Sequence, residues 1–194
     1  MRKRVAQLRT PRDDNEGAKM TTKTWRRAAT VLGACVLLSM AGTANAESAR
    51  ARGAGHLQDL QVATSQPTDG ATAQVVATEA GGMTTVTLKV QALDQAAAGM
   101  MLGAHIHSGS CVAGDGAAAG PHYNAGGTAS PTTEVWLDFI IEANGTARSE
   151  TTVPFVIPQG GAAALVIHAM ATSPGPTPAP GTAGARLACL PIQF

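Results

Sequence analysis

Ala73-Gln74-Val75-Val76-Ala77-Thr78, then Gly81-Gly82, then Thr85-Val86-Thr87-Leu88-Lys89-Val90: two short segments of β texture meet through a glycine pair, which predicts a β-hairpin with a tight turn. The texture continues along the rest of the chain. Further strands are predicted over Met100 to His107, Glu134 to Glu142, Ala147 to Pro154, Ala163 to Ala169 and Ala185 to Ile192, with Asn144-Gly145 as another hairpin turn. Leu93 to Met100 is alanine-rich but too short and glycine-interrupted for a major helix. Ser173 to Gly184 carries Pro174, Pro176, Pro178 and Pro180, cannot supply a ladder of N–H donors, and reads as a stiff loop. Strand spacing of this kind predicts an all-β antiparallel sandwich or barrel.

The chain has 194 residues, enough for one domain plus a dispensable segment, and that segment lies at the front. Lys23, Arg26 and Arg27 precede a largely apolar run from Ala28 to Gly42, followed by Ala44-Asn45-Ala46. This pattern predicts a secretory signal peptide cut after Ala46, with residues 1–46 as N-terminal extension and signal. The apolar run is too short, and the chain beyond it too polar, to span a membrane. Either Met1 or Met20 can be the start, and Cys35 reads as a cysteine inside the signal, with a lipoprotein cysteine as the alternative. Residues 47–69 are polar and rich in small residues and read as a flexible leader, in which His56 is a solvated loop histidine. The domain proper is then residues 70–194.

Of 14 basic and 13 acidic residues, 5 and 10 follow Ala46, a net charge of −5 for the exported part. No basic cluster follows Arg52, which argues against nucleic acid as a partner. Cysteines drop from three to two after cleavage, Cys111 and Cys189, and an even count suits one disulfide in an oxidising compartment. The expected location is secreted, periplasmic or cell-envelope associated. Sequence leaves both a monomer and a homodimer open.

Chemistry concentrates in four of the five histidines: His105, His107, His122 and His168. A His-X-His pair on a strand puts both rings on one face, because side chains alternate with period two, and imidazole suits copper and zinc. His168 ends an apolar run, Ala164-Leu165-Val166-Ile167, expected to be buried on both faces. Any one of these residues alone would read as a core histidine satisfied by a backbone carbonyl. As a set they predict one metal site.

The words around them, Gly103-Ala104-His105-Ile106-His107, Gly120-Pro121-His122-Tyr123-Asn124, Leu165-Val166-Ile167-His168-Ala169 and Gly184-Ala185-Arg186-Leu187-Ala188-Cys189, together resemble copper/zinc superoxide dismutase. The resemblance covers roughly the last two-thirds of the chain, and His107-Ser108-Gly109-Ser110-Cys111 looks like its bacterial secreted branch. It implies an eight-stranded Greek-key β-barrel or sandwich. His105, His107, His122 and His168 match the family's copper ligands, and Cys111 would pair with Cys189. Arg186 matches the arginine that guides the anionic substrate, superoxide. By the same resemblance, superoxide would reduce Cu(II) to Cu(I) and release dioxygen. A second superoxide would reoxidise the copper and leave as hydrogen peroxide, with His122 carrying a proton as well as serving as a ligand.

The chain departs from the family between Asn124 and Asn144, where two zinc histidines and an aspartate belong and this sequence has no histidine. Zn(II) needs three or four ligands, and His122 with Glu134 or Asp138 falls short. A copper-only enzyme, with zinc absent, is the expectation. Something must then take zinc's place on the outer nitrogen of His122, and Glu134, followed by Asp138, is the candidate; the plain alternative is that both are solvent-facing strand carboxylates. Met170 to Gly184 has no charged side chain, which predicts a metal more open to solvent. The rival from another class is a copper-binding carrier without efficient turnover, against which Arg186 argues, since storage has no use for an anion guide. A metal-free structural module would leave four histidines without a purpose.

Overall fold

β-Branched residues on either side of Gly81-Gly82 set up the first ladder: β3 (Thr72–Ala80) and β4 (Met83–Gln91) pair without a slip from Thr72↔Gln91 to Ala80↔Met83. Gly81 and Gly82 sit at φ 60° and 79°, the positive angles that a two-residue turn compatible with strand twist demands. Thr84, Val86, Leu88 and Val90 are buried while Lys89 is exposed, so period two turns one face of the hairpin to the core. The computed structural model describes residues 48–194. The expected export signal, Cys35 and the start of the chain lie outside them.

Within the stretch 47–69, expected to be a flexible leader, residues 48–60 are instead built into the fold. β1 (Ser48–His56) pairs antiparallel with β3 from Ser48↔Glu79 to His56↔Thr72, with an irregularity between Ala49 and Ala51. β2 (Gln58–Asp59) pairs with the last strand, and Leu57 and Leu60 are buried. Main-chain pairing at an edge needs no apolar side chains, so small polar composition does not betray it. Gly53 also lets β1 pass close to the end of the chain: a Cβ there would stand 2.6 Å from Ile192 Cγ2 and from Pro191 O.

Beyond β4 come β5 (Met101–Leu102), β6 (Ala104–His107), β7 (Phe139–Ile140), β8 (Ala147–Val153), β9 (Ala164–His168) and β10 (Arg186–Pro191). Two antiparallel four-stranded sheets result, ordered β1-β3-β4-β8 and β2-β10-β9-β6, with β5-β7 as a short third ribbon. Val75, Val86 and Leu88 of the first sheet share one core with Ile106, Leu165, Ile167 and Leu190 of the second. The architecture is the all-β antiparallel Greek-key sandwich expected. Helical structure among the described residues is limited to two 3-10 turns, Gln95–Ala97 and Gly116–Ala119. No helix among those residues is long and apolar enough to cross a membrane.

Asn144-Gly145 does turn the chain, with Gly145 at φ 74° and Gly145 N donating to Glu142 O. The hairpin ladder expected around it does not develop, because β7 pairs with β5 and β8 pairs with β4. Only Phe139–Ile140 of the predicted Glu134–Glu142 strand is laddered. The segment is nevertheless extended in its packing: Val135, Leu137, Phe139 and Ile141 are all buried in the core. Period two then puts Glu134, Trp136 and Asp138 on the opposite side.

Candidate metal centre

β6 alternates in the same way. Ala104 and Ile106 enter the core, so His105 and His107 project together from the outer face of their sheet. β9 runs alongside, with His105↔Val166 and His107↔Ala164 in register and His168 N donating to Gly103 O at 2.8 Å. Its burial on both faces is as expected: Leu165 and Ile167 face the core, while Ala164 and Val166 are covered from outside by Leu60, Ala119 and the Cys111–Cys189 disulfide. That disulfide spans 78 residues with its Cα atoms 5.6 Å apart. It ties the loop after β6 to β10, and His122 returns from the same loop to bridge His107.

The ligand-capable nitrogens of His105, His107, His122 and His168 all lie within 4.8 Å of one another. Each ring is tied at one nitrogen. His107 Nδ1 bonds Gly120 O at 3.1 Å, His168 Nδ1 bonds Gly184 O at 3.4 Å, His122 Nδ1 bonds Glu134 Oε2 at 2.8 Å, and His105 Nε2 bonds Thr172 Oγ1 at 2.6 Å. A ring that donates through Nδ1 to a carbonyl has, when neutral, only a lone pair at Nε2. His107 and His168 therefore turn two lone pairs toward each other at 3.3 Å. His105 Nδ1 is the one buried side-chain nitrogen or oxygen among the described residues with no hydrogen-bond partner. Three Nε2 atoms and one Nδ1, desolvated and mutually repulsive, form a donor set that a cation satisfies, and all-imidazole coordination suits copper.

Burial keeps His105, His107 and His168 neutral. His105, His107 and His168 are pushed down to about 2, 3 and 4, first by desolvation, with repulsion from neighbouring imidazoles adding to it; hydrogen bonds to Gly120 and Gly184 partly oppose the shift in His107 and His168. Glu134 is lowered as well, but in a carboxyl that favours the charged form. Burial raises its carboxyl, but hydrogen bonds from His122, Trp136 and Asn124 outweigh that and hold it below its ordinary value. Trp136 Nε1 donates to Oε2 at 2.9 Å and Asn124 Nδ2 to Oε1 at 3.1 Å. Glu134 thus meets His122 at its outer nitrogen.

Asp138 does not share that task. Its two oxygens accept from Thr172, Oδ2 from the backbone N–H at 2.6 Å and Oδ1 from the hydroxyl, because the pleat places it four residues farther along the segment, beside His105 rather than His122. Nor does the uncharged loop from Met170 to Gly184 leave the rings exposed. It folds over them: a Cβ on Gly181 would stand 3.2 Å from Glu134 Oε2 and 3.7 Å from His122 Nδ1. His105 and His107 are fully buried and the His122 side chain is 18% exposed. Trp136 and Thr172 are the outer residues that sequence reading passed over. Trp136 was legible by alternation from Glu134, whereas Thr172 carried no local signal.

Arg186 opens β10 opposite His168. Its guanidinium donates to Gly116 O and to Gly120 O, so it is clamped to the disulfide loop at the edge of a shallow depression lined by Gly116, Ala117, Gly120, Pro121 and Arg186. Gly120 O thereby accepts from both Arg186 and His107.

Comparison with known proteins accords with this geometry. A double mutant of a superoxide-dismutase-like protein from Bacillus subtilis is similar in structure, with a TM-score of 0.51 and 22% identity over 72% of this chain and 97% of that one. The Cu/Zn superoxide dismutase from Brucella abortus is similar with a TM-score of 0.51 and 19% identity over 72% and 98%. At these identities the likeness is one of fold. No curated protein matches the sequence. The family model described as copper/zinc superoxide dismutase matches residues 70–192, and the chain belongs to that family.

Proposed function

We propose that the chain is an exported superoxide dismutase that works with copper alone. The observation that carries this reading is the convergence of four imidazoles whose outer nitrogens are all taken, with the Glu134 carboxylate on the outer nitrogen of His122. The absence of histidine from Asn124 to Asn144 supports a site without zinc. His105 through Nδ1 and His107, His122 and His168 through Nε2 would hold the copper. Bound there, copper supplies the one-electron cycle that turns superoxide into dioxygen and hydrogen peroxide.

The residues around it do the rest. The Arg186 guanidinium concentrates a small anion that the net charge of −5 after Ala46 would otherwise repel. Its hold on Gly116 and Gly120 keeps that charge in place. His122, backed by a carboxylate held ionised, can carry a proton at Nε2 for the reduced product whenever that nitrogen is not holding the metal, because Glu134 stabilises the imidazolium across the ring. The disulfide suits an oxidising compartment, secreted, periplasmic or on the cell envelope.

The test is superoxide removal by pulse radiolysis on the chain reconstituted with copper alone. A fast, second-order, copper-dependent rate supports the enzyme and dispenses with zinc. Stoichiometric copper binding with a rate no better than that of the copper-free chain favours the second reading, a copper carrier, which the same four histidines could equally serve.

A further inference from the structure

His107 and His168 are held from outside by main-chain carbonyls and His122 by Glu134. His105 is held differently, by a side chain on the proline-rich loop. Its Nε2 lies 2.6 Å from Thr172 Oγ1, the Thr172 hydroxyl reaches Asp138 Oδ1, and Thr172 N donates to Asp138 Oδ2 at 2.6 Å.

Donor roles in this chain are forced. The Thr172 hydroxyl donates its single proton to Asp138 Oδ1, and its oxygen is left to accept. His105 must then donate from Nε2, which empties Nδ1 of its proton. Nδ1 is the atom that is buried without a partner. The loop is seated for this purpose by Gly103, two residues before His105: a Cβ on Gly103 would stand 3.1 Å from Thr172 Oγ1 and 2.8 Å from Ala183 Cβ and Met170 O.

We propose that Thr172, anchored by Asp138, is the positioning residue of His105, setting the tautomer and ring orientation that present Nδ1 to the metal. The part of this that concerns metal rests on the copper reading above; the tautomer does not.

Long-range proton–nitrogen correlation on the metal-free, full-length chain, labelled with nitrogen-15, reads the tautomer directly. The His105 ring proton is expected on Nε2, and a proton on Nδ1 overturns the proposal. In Thr172→Val the hydroxyl is gone at nearly constant shape. Copper affinity, measured by chelator competition, is expected to fall by about 10- to 100-fold, with a changed parallel hyperfine splitting in the Cu(II) resonance. Thr172→Ser should restore both. Affinity and splitting in Thr172→Val equal to those of the unmutated chain overturn the assignment. Because the tautomer is read without mutation, it decides the matter even where Thr172→Val does not fold. A chain that binds no copper at all sinks the copper reading instead and leaves the tautomer to judge Thr172.

Discussion

Glu134 Oε2 receives His122 and Trp136 while Oε1 receives Asn124, so one buried carboxylate sets both the tautomer and the tilt of an imidazole. Glu134→Ala removes that acceptor, and the copper affinity of the chain is expected to drop by about 10- to 100-fold; unchanged affinity in a chelator titration would show that His122 needs no carboxylate. Arg186→Ala is expected to lower the superoxide rate by about tenfold or more while copper stays bound, since local charge acts on substrate encounter. A rate equal to the parent's in pulse radiolysis would remove Arg186 from the mechanism. The buried histidines also make the metal-free chain acid-sensitive. His105, His107 and His168 take up protons only near pH 2, 3 and 4 when folded, but near 6.5 when unfolded. Their stabilising contribution is present above about pH 6.5 and falls below it, where the unfolded state binds protons that the folded state refuses. Glu134, with its depressed carboxyl, adds a loss of the same sign at lower pH. Urea midpoints of the metal-free chain should therefore decline from pH 7.5 to pH 5, and a flat profile would show that the rings are not held neutral.

The loop from Ser108 to Pro121 is the element that joins stability to chemistry. It carries one end of the disulfide, supplies the carbonyls that hold Arg186 and His107, and delivers His122. Gly109 lets it lie flat, since a Cβ there would come within 2.3 Å of Ala118 O. The paired change Cys111→Ser with Cys189→Ser is expected to cost about 2 to 5 kcal/mol of stability, and to loosen Arg186 because its two acceptors ride on the freed loop. Thermal melts with and without reductant would measure the first effect. Elements differed in how plainly they could be read beforehand. The hairpin of β3 and β4 stood out because buried side chains alternate along it and two glycines mark its turn. β1 did not, because an edge strand of Ala, Gly and Arg is held by main-chain bonds that composition does not report.

At the scale of the whole molecule, the two sheets enclose an apolar core, while the histidines sit outside it, on the outer face of one sheet under a lid of loops. Such a centre can be emptied without dismantling the core. Copper should therefore raise the melting temperature of a chain that already folds without it, in proportion to how tightly it binds. Adding zinc to the copper-loaded chain should leave both melting temperature and superoxide rate unchanged. A zinc-dependent rise in either would restore a second metal to the reading.

Sequence by itself determined the β class, the family, the four histidines and the cysteine pair, and offered Glu134 and Asp138 as candidate partners of His122, because period-two alternation and residue chemistry are local properties that a linear chain displays. Only the tertiary structure decided which nitrogen of each ring is free, that Asp138 serves His105 through Thr172 rather than serving His122, and that the uncharged loop covers the rings. Those outcomes depend on partners 12 to 67 residues apart, and hydrogen-bond direction between such groups exists only once the packing of the sheets has brought them together.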